Sequence, residues 1–237
     1  MNSASKRRAA RSVDMWAAVR MLATCVLKSL MDAWSGFTQM RATKRARELM
    51  RIITVLGVYE WLVMPFGVKN GPAYYQDAMD KIFAEHLENA MSHELKSWLA
   101  IFIDDFGLGT GDAFTDKWQD ADDADDGLFD LHLQALDRVT KTAIRHNLRF
   151  AFNKCLFAQL VVNALGMRIG VGWIEPNDDR VRAVMAWPRP ARKDDVESFL
   201  ATLAFMRAHL SPYFSEVSRP LRMLQAEVQQ MRAEGIK

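Results

Sequence analysis

The stretch Trp98-Leu99-Ala100-Ile101-Phe102-Ile103-Asp104-Asp105-Phe106 constrains this chain more than any other. An unbroken apolar run of this kind reads as a buried strand, yet it ends in two adjacent carboxylates. Burying one unpaired carboxylate is costly, and burying two side by side is worse unless a cation compensates. A hairpin that closes on Asp-Asp therefore points to a divalent ion held by hard oxygen ligands, although Asp-Asp turns with a purely structural role are common.

Four further blocks stand in order around that hairpin. Upstream are Asp32-Ala33-Trp34-Ser35-Gly36-Phe37-Thr38-Gln39 and the long run from Val58 to Gln76, which contains Met64-Pro65-Phe66-Gly67 and Asn70-Gly71-Pro72-Ala73-Tyr74-Tyr75-Gln76. Downstream are Leu148-Arg149-Phe150-Ala151-Phe152-Asn153-Lys154 and Ala164-Leu165-Gly166-Met167-Arg168-Ile169. From about Leu30 to Leu224 the chain resembles the reverse transcriptase domain of gypsy-class LTR retrotransposons, which carries these blocks in this order. The resemblance implies an α+β fold: a palm whose antiparallel sheet is backed by helices, followed by a helical thumb-like or connection-like subdomain. The corresponding divisions are a basic tail and helix over residues 1–25, the palm over 26–176 with an acidic insertion at about 111–130, and the helical region over 177–237.

The function implied is RNA-directed DNA polymerisation within a retrotransposon polyprotein. In that chemistry a primer 3′-hydroxyl attacks the α-phosphorus of a dNTP, and positioning and charge neutralisation dominate. By resemblance, Asp32, Asp104 and Asp105 hold two Mg²⁺ ions, for which Mn²⁺ can substitute; the oxygen-only ligand set suits magnesium. Ser35, Gly36, Phe37, Phe66, Gly67 and Gln76 match positions lining the nucleotide, with backbone N–H groups after Asp32 available to the triphosphate and Phe37 as the ring that rejects a 2′-hydroxyl. Without its block Phe37 reads as a core aromatic. Lys154 matches a lysine near the pyrophosphate and is read either as a general acid or as a solvated loop lysine. Leu165, Gly166 and Met167 match the primer grip, and a plain core hairpin has the same pattern. The partners implied are an RNA or DNA template with its primer and a dNTP.

Some positions depart from the family pattern. Phe102 stands where Tyr is usual and Thr38 where His is usual. The family also carries a fingers region before its first catalytic Asp, and the residues up to Met31 show no match to it; on that basis impaired polymerisation is expected. The alternative is a non-catalytic nucleic-acid-binding remnant, in which Arg41, Lys44, Arg45, Arg47 and Arg51 contact phosphate.

Composition sets bounds on these readings. The chain of 237 residues is 50% hydrophobic and 25% charged with a formal net charge of +2, which is ordinary for a globular protein and too mild to diagnose nucleic-acid binding. Cys25 and Cys155 form no ligand motif and imply a reducing compartment, cytoplasmic or nuclear. The basic start around Lys6-Arg7-Arg8 is read as a tail, with a mitochondrial presequence as the alternative. No apolar run reaches the ~18 residues of a membrane span.

Local pattern predicts the elements. A helix is expected over residues 13–25, then a short strand from Val26 that delivers Asp32. Strands over 50–56 and 59–64 are expected to join at Gly57. A helix is expected to start at Asn70-Gly71-Pro72, and a second amphipathic helix to cover Leu131 to His146. Strand-like pieces are expected near 148–152 and 165–174. Helices are expected from Arg180 onward, broken at Trp187-Pro188-Arg189-Pro190 and at Ser211-Pro212. The Asp-rich run from Gly111 to Asp130 lacks calcium-loop spacing and reads as a solvated, mobile insertion.

Overall fold

The computed structural model describes residues 15–88, 97–112, 114, 126–190, 192–210, 212–223 and 226. The elements run α1 (Met15–Thr24), β1 (Leu27–Asp32), α2 (Lys44–Leu49), β2 (Ile52–Thr54), β3 (Gly57–Tyr59), α3 (Gly71–Ile82), α4 (Ala84–Glu88), β4 (Ser97–Phe102), β5 (Asp105–Thr110) and α5 (Asp126–Arg145). They continue with β6 (Leu156–Gln159), β7 (Val162–Ala164), β8 (Met167–Ile169), β9 (Ile174–Pro176), α6 (Asp178–Met185), α7 (Lys193–Phe205) and α8 (Phe214–Val217). Two compact units result, one of residues 1–165 and 169–174, the other of residues 166–168 and 175–237.

The first unit is built on a four-stranded sheet in the order β4-β5-β1-β6. β1 pairs antiparallel with β5 and β6, and β4 pairs antiparallel with β5. Side chains alternate between the two faces of a strand, and β5 shows what each face meets. Phe106 and Leu108 enter the main core with Met79 and Phe83, and with Ala135, Leu136 and Val139 of α5. Gly107 and Gly109 face the other way, against Leu22 and Cys25: a β-carbon on Gly109 would lie 2.4 Å from the Cys25 Sγ. The missing side chains let α1 lie directly on the sheet. Cys25 and Cys155 are both free thiols. Burial pushes the Cys25 thiol up to about 12.

Polar groups buried in this sheet are satisfied locally. Lys28 is fully buried, and its Nζ donates to the carbonyls of Cys25 (2.7 Å), Val26 (3.3 Å) and Leu160 (3.0 Å). Burial, opposed by Cys25, lowers its pKa to about 8. One residue on, the Ser29 hydroxyl lies 2.6 Å from His132 Nε2, and Thr110 Oγ1 lies 2.8 Å from Nδ1. The Ala158 N–H donates to Ser29 Oγ at 3.0 Å. Two neutral tautomers satisfy the network: Ser29 O–H donates to Nε2 while Nδ1–H donates to Thr110, or Nε2–H donates to Ser29 while Thr110 O–H donates to Nδ1. Burial drives the His132 pKa down to about 4, so the ring is neutral at pH 7.

Several boundaries differ from those expected. The small hairpin turns at Val55-Leu56, and Gly57 (φ 132°) opens its second strand instead of joining the two. α5 begins at Asp126, so the end of the Asp-rich run is helical; most of that run lies outside the described residues, as do the basic tail and the far C-terminus. Around 148–152 there is only a single bridge, Ala33 to Phe150. Asn70 precedes α3 as expected but makes no side-chain cap; Pro72 occupies the first turn, where its missing N–H is harmless.

In the second unit Asn177 caps α6 by accepting from the Arg180 N–H at 3.0 Å, with Asp178 and Asp179 suited to the helix N-terminus. Pro188 and Pro190 separate α6 from α7, and Trp187 packs on Phe199 at 5.8 Å. Among the described residues no helix is long and apolar enough to cross a membrane.

Candidate active site

The sheet brings the three aspartates of the sequence reading together. Asp32, the last residue of β1, is the register partner of Asp105, the first of β5. Residues directly opposite in an antiparallel pair project to the same face with Cβ atoms roughly 5 Å apart, so two like charges face each other. Asp104 lies on the two-residue turn between β4 and β5, and its carbonyl accepts from the Ala33 N–H at 2.9 Å. Lys154 comes from a 3₁₀ turn (Phe152–Lys154) and places Nζ 3.4 Å from Asp32 Oδ1. The Ala151 N–H donates to the Asp32 carbonyl at 2.8 Å, which ties that turn to β1.

Crowding of these charges shows in their protonation. Desolvation, then Asp105 and Asp32, raise the Asp104 pKa, with Lys154 opposing. Asp105 keeps exposed surface, but desolvation and then Asp32 raise its pKa too, again against Lys154. Asp104 Oδ1 is buried and has no hydrogen-bond partner among the described residues. Among the described residues no three acidic, His or Cys side chains are drawn tightly enough together to form a finished cage. Even so, the donor set fits a hard divalent cation. It consists only of carboxylate oxygens, it sits on adjacent strand ends, and its repulsion is only partly relieved by Lys154.

The turn carrying Asp104 is held in a costly shape. Ile103 has φ 56°. A β-branched residue in the left-handed region costs on the order of 1–2 kcal/mol, and such strain persists only where its surroundings impose it. Gln76 on α3 imposes it: its Oε1 accepts from the Ile103 N–H at 2.8 Å, and its Nε2 donates to the Ile101 carbonyl at 3.1 Å and to Asp80 Oδ1 at 2.8 Å. The sequence reading put Gln76 at the nucleotide. Here it is buried and its amide is committed to the backbone of the Ile103-Asp104 turn.

Gln39 plays a similar part. Its amide donates to the Trp34 and Arg149 carbonyls at 2.8 and 3.0 Å, and its carbonyl accepts from the Arg149 N–H at 2.8 Å. The N–H groups of Ala33 and Trp34 are spent on Asp104 and Arg149, so the backbone donors foreseen for a triphosphate begin at Ser35. Ser35 is left-handed (φ 52°) and starts the 3₁₀ turn Gly36–Gln39. Phe37 packs edge-on against Tyr75 (5.4 Å, 77°) and against the exposed Phe66 (5.5 Å). Gly67 adopts φ 81° in the loop after Phe66. Leu165 (φ 53°) and Gly166 (φ 76°) form a tight turn, and Met167 beyond it is fully buried.

A cavity of about 190 Å³ opens beside the carboxylates, lined among others by Asp32, Phe102, Asp105, Lys154, Leu156 and Leu165. Two features of the structure were not foreseen individually. Tyr75, whose hydroxyl is raised by burial and then by Asp104 and Asp32, was legible only as part of its block. The Ser29–His132–Thr110 network has no motif at all.

An antiparallel sheet with helices on its faces and paired strand-end aspartates defines a palm of the polymerase type. The chain belongs to the reverse transcriptase (RNA-dependent DNA polymerase) family, whose model matches residues 4–169. Among its relatives are the retrovirus-related Pol polyproteins from the Drosophila melanogaster transposons 297 and opus. It is 24% identical to the first over 84% of this chain and 26% to the second over 89%. It spans only 16% and 18% of their lengths. The enzymatic polyprotein of cauliflower mosaic virus (strain D/H) is 23% identical over 82% of the chain, which spans 25% of it. The fold is that of a foamy viral protease–reverse transcriptase solved with double-stranded DNA, with a TM-score of 0.76 at 19% identity over 95% of this chain and 35% of that one.

Proposed function

We propose that this chain carries the nucleotidyl-transfer centre of an RNA-directed DNA polymerase from a retrotransposon polyprotein, extending a primer on an RNA or DNA template with dNTPs. The observation that supports this most is the pairing of Asp32 with Asp105 across the sheet, with Asp104 on the adjoining turn and Lys154 on Asp32. Asp32, Asp104 and Asp105 would hold two Mg²⁺ ions, which supply activation of the attacking hydroxyl and charge neutralisation of the leaving oxygen when bound. The chain's own groups do the rest. Phe37, braced by Tyr75 and Phe66, presents a ring beside the site and sets the space left for a sugar. Ser35 and Gly36 bring backbone close to the carboxylates, where a triphosphate tail needs donors. Lys154 balances Asp32 in the free protein and is placed to give a proton to the departing pyrophosphate. The exposed Arg41, Lys44 and Arg45 add phosphate contacts away from the chemistry, whereas Arg51 is paired with Glu60 at 2.6 Å.

Primer extension on an RNA template with Mg²⁺ or Mn²⁺ tests the proposal, comparing the chain with Asp32→Asn and Asp104→Asn. Metal-dependent incorporation of the complementary dNTP that falls at least about a hundredfold in both variants is expected, since loss of a catalytic electrostatic contact costs about that much. Equal incorporation by all three proteins would place the chemistry elsewhere.

A further inference from the structure

Among the described residues, two side-chain oxygens are buried and have no hydrogen-bond partner: the Tyr75 hydroxyl and Asp104 Oδ1. They face the same point. A β-carbon on Gly36 would stand 2.5 Å from Asp104 Oδ1 and 2.7 Å from the Tyr75 hydroxyl, so both atoms reach over the bare Cα of that glycine. Each has given up its hydration on folding, and a buried polar atom left unpaired is costly. One is an O–H donor and the other a carboxylate acceptor. Each supplies what the other lacks, and a side-chain adjustment within reach of the same point would join them.

The surroundings leave Tyr75 little freedom to do anything else. Its side chain is fully buried, and its ring is fixed edge-on against Phe37. It precedes Gln76 on α3, whose amide grips the backbone of the Ile103-Asp104 turn. Neighbouring helix residues thus address the same turn: Gln76 holds its main chain, and Tyr75 faces its carboxylate. A side chain that served only as core filler would not need a hydroxyl, and Phe would fill the same volume without an unpaired oxygen.

We infer that Tyr75 is a positioning residue for the candidate metal site: its hydroxyl donates to Asp104 Oδ1, fixing that carboxylate with its other oxygen directed to a divalent cation, while its ring braces Phe37. The inference rests on the metal-holding role proposed above for Asp104. Outer partners of this kind orient metal ligands, and losing one typically lowers metal affinity by about 10- to 100-fold.

Calorimetric titration of the full 237-residue chain with Mn²⁺ alone, without nucleotide, tests it alongside thermal unfolding in metal-free buffer. Tyr75→Phe is expected to weaken Mn²⁺ binding by about tenfold while its metal-free Tm holds or rises, because the unpaired hydroxyl is gone. The effect of Tyr75→Phe should vanish in an Asp104→Asn background, as a double-mutant cycle requires if the hydroxyl acts through that carboxylate. If Asp104→Asn weakens Mn²⁺ binding but Tyr75→Phe leaves it unchanged, the positioning role is overturned and the metal assignment survives. If Asp104→Asn binds Mn²⁺ as the wild type does, the metal assignment itself fails. A Tyr75→Phe protein with a much lower metal-free Tm, or one whose weaker binding persists in the Asp104→Asn background, would reduce Tyr75 to core packing and also overturn the inference.

Discussion

Acidification should strike this protein first at His132. The ring is fully buried, with Ser29 on one nitrogen and Thr110 on the other, and its pKa is driven from 6.5 down to about 4. A base whose folded pKa lies below its unfolded value leaves stability intact above about pH 6.5. That stability is lost as the pH falls toward 4, because the unfolded chain binds the proton first. A gap of roughly 2.5 units at 1.36 kcal/mol each is worth about 3 kcal/mol, a sizeable part of the stability of a typical domain. Physically, protonation puts a charge in a fully buried site and makes both ring nitrogens donors, so whichever of Ser29 and Thr110 donates to the neutral ring must stop doing so. The strand disturbed would be β1, which ends at Asp32. Asp104 and Asp105 work in the opposite sense: their raised pKa values mean stability falls as the pH rises through them. The clean readout is therefore a difference. Urea unfolding from pH 7.5 to 4.0 should show wild type losing about 3 kcal/mol relative to His132→Asn, whatever offset separates them at pH 7.5. Parallel curves for the two proteins across that range would refute the reasoning.

Other outcomes follow from the site. Gly36→Ala places a methyl 2.5 Å from Asp104 Oδ1 and 2.7 Å from the Tyr75 hydroxyl; overpacking should cost about 1–3 kcal/mol by urea unfolding. Gln76→Leu strips the Ile103 N–H of its acceptor and should cost about 1–3 kcal/mol by urea unfolding; Gln76→Glu should be no better, because its second oxygen would face the Ile101 carbonyl and Asp80, which the amide N–H groups now serve. Because Asp104 and Asp105 are raised, the Tm gain from added Mg²⁺ should grow as the pH rises above the carboxylate range, and differential scanning fluorimetry should find this growth blunted in Asp104→Asn.

The meeting of the aspartates was legible in the order of the sequence blocks and the resemblance they carry, whereas the acid-ended strand alone fits a structural turn equally well. β1, α3 and β4 fall where hydrophobic period and block order put them. Less was legible where long-range contacts decide. The run near Phe150 reads as a strand but makes one bridge, since Ala33 is its only ladder partner among the described residues. Gln76 was assigned to the nucleotide from its block, and only the packing of α3 under β4 shows its amide turned to Ile101 and Ile103. His132 could not have been singled out, because nothing in its helix marks it: Ser29 lies 103 positions away along the chain.

The pairing of Cys25 with the bare surface of Gly109 has a practical consequence. A thiol sealed under a helix, with burial pushing its pKa up to about 12, should react far more slowly with maleimides or iodoacetamides near neutral pH than an exposed one, since the thiolate is the nucleophile. Cys155 is partly accessible and follows Lys154 directly. Cys155, half-buried with its thiol on the Ala151 carbonyl, is thus the more addressable of the two thiols and lies one residue from the Asp32 ion pair. A fluorophore attached there would report changes at the carboxylates by emission, with no cysteine added or removed.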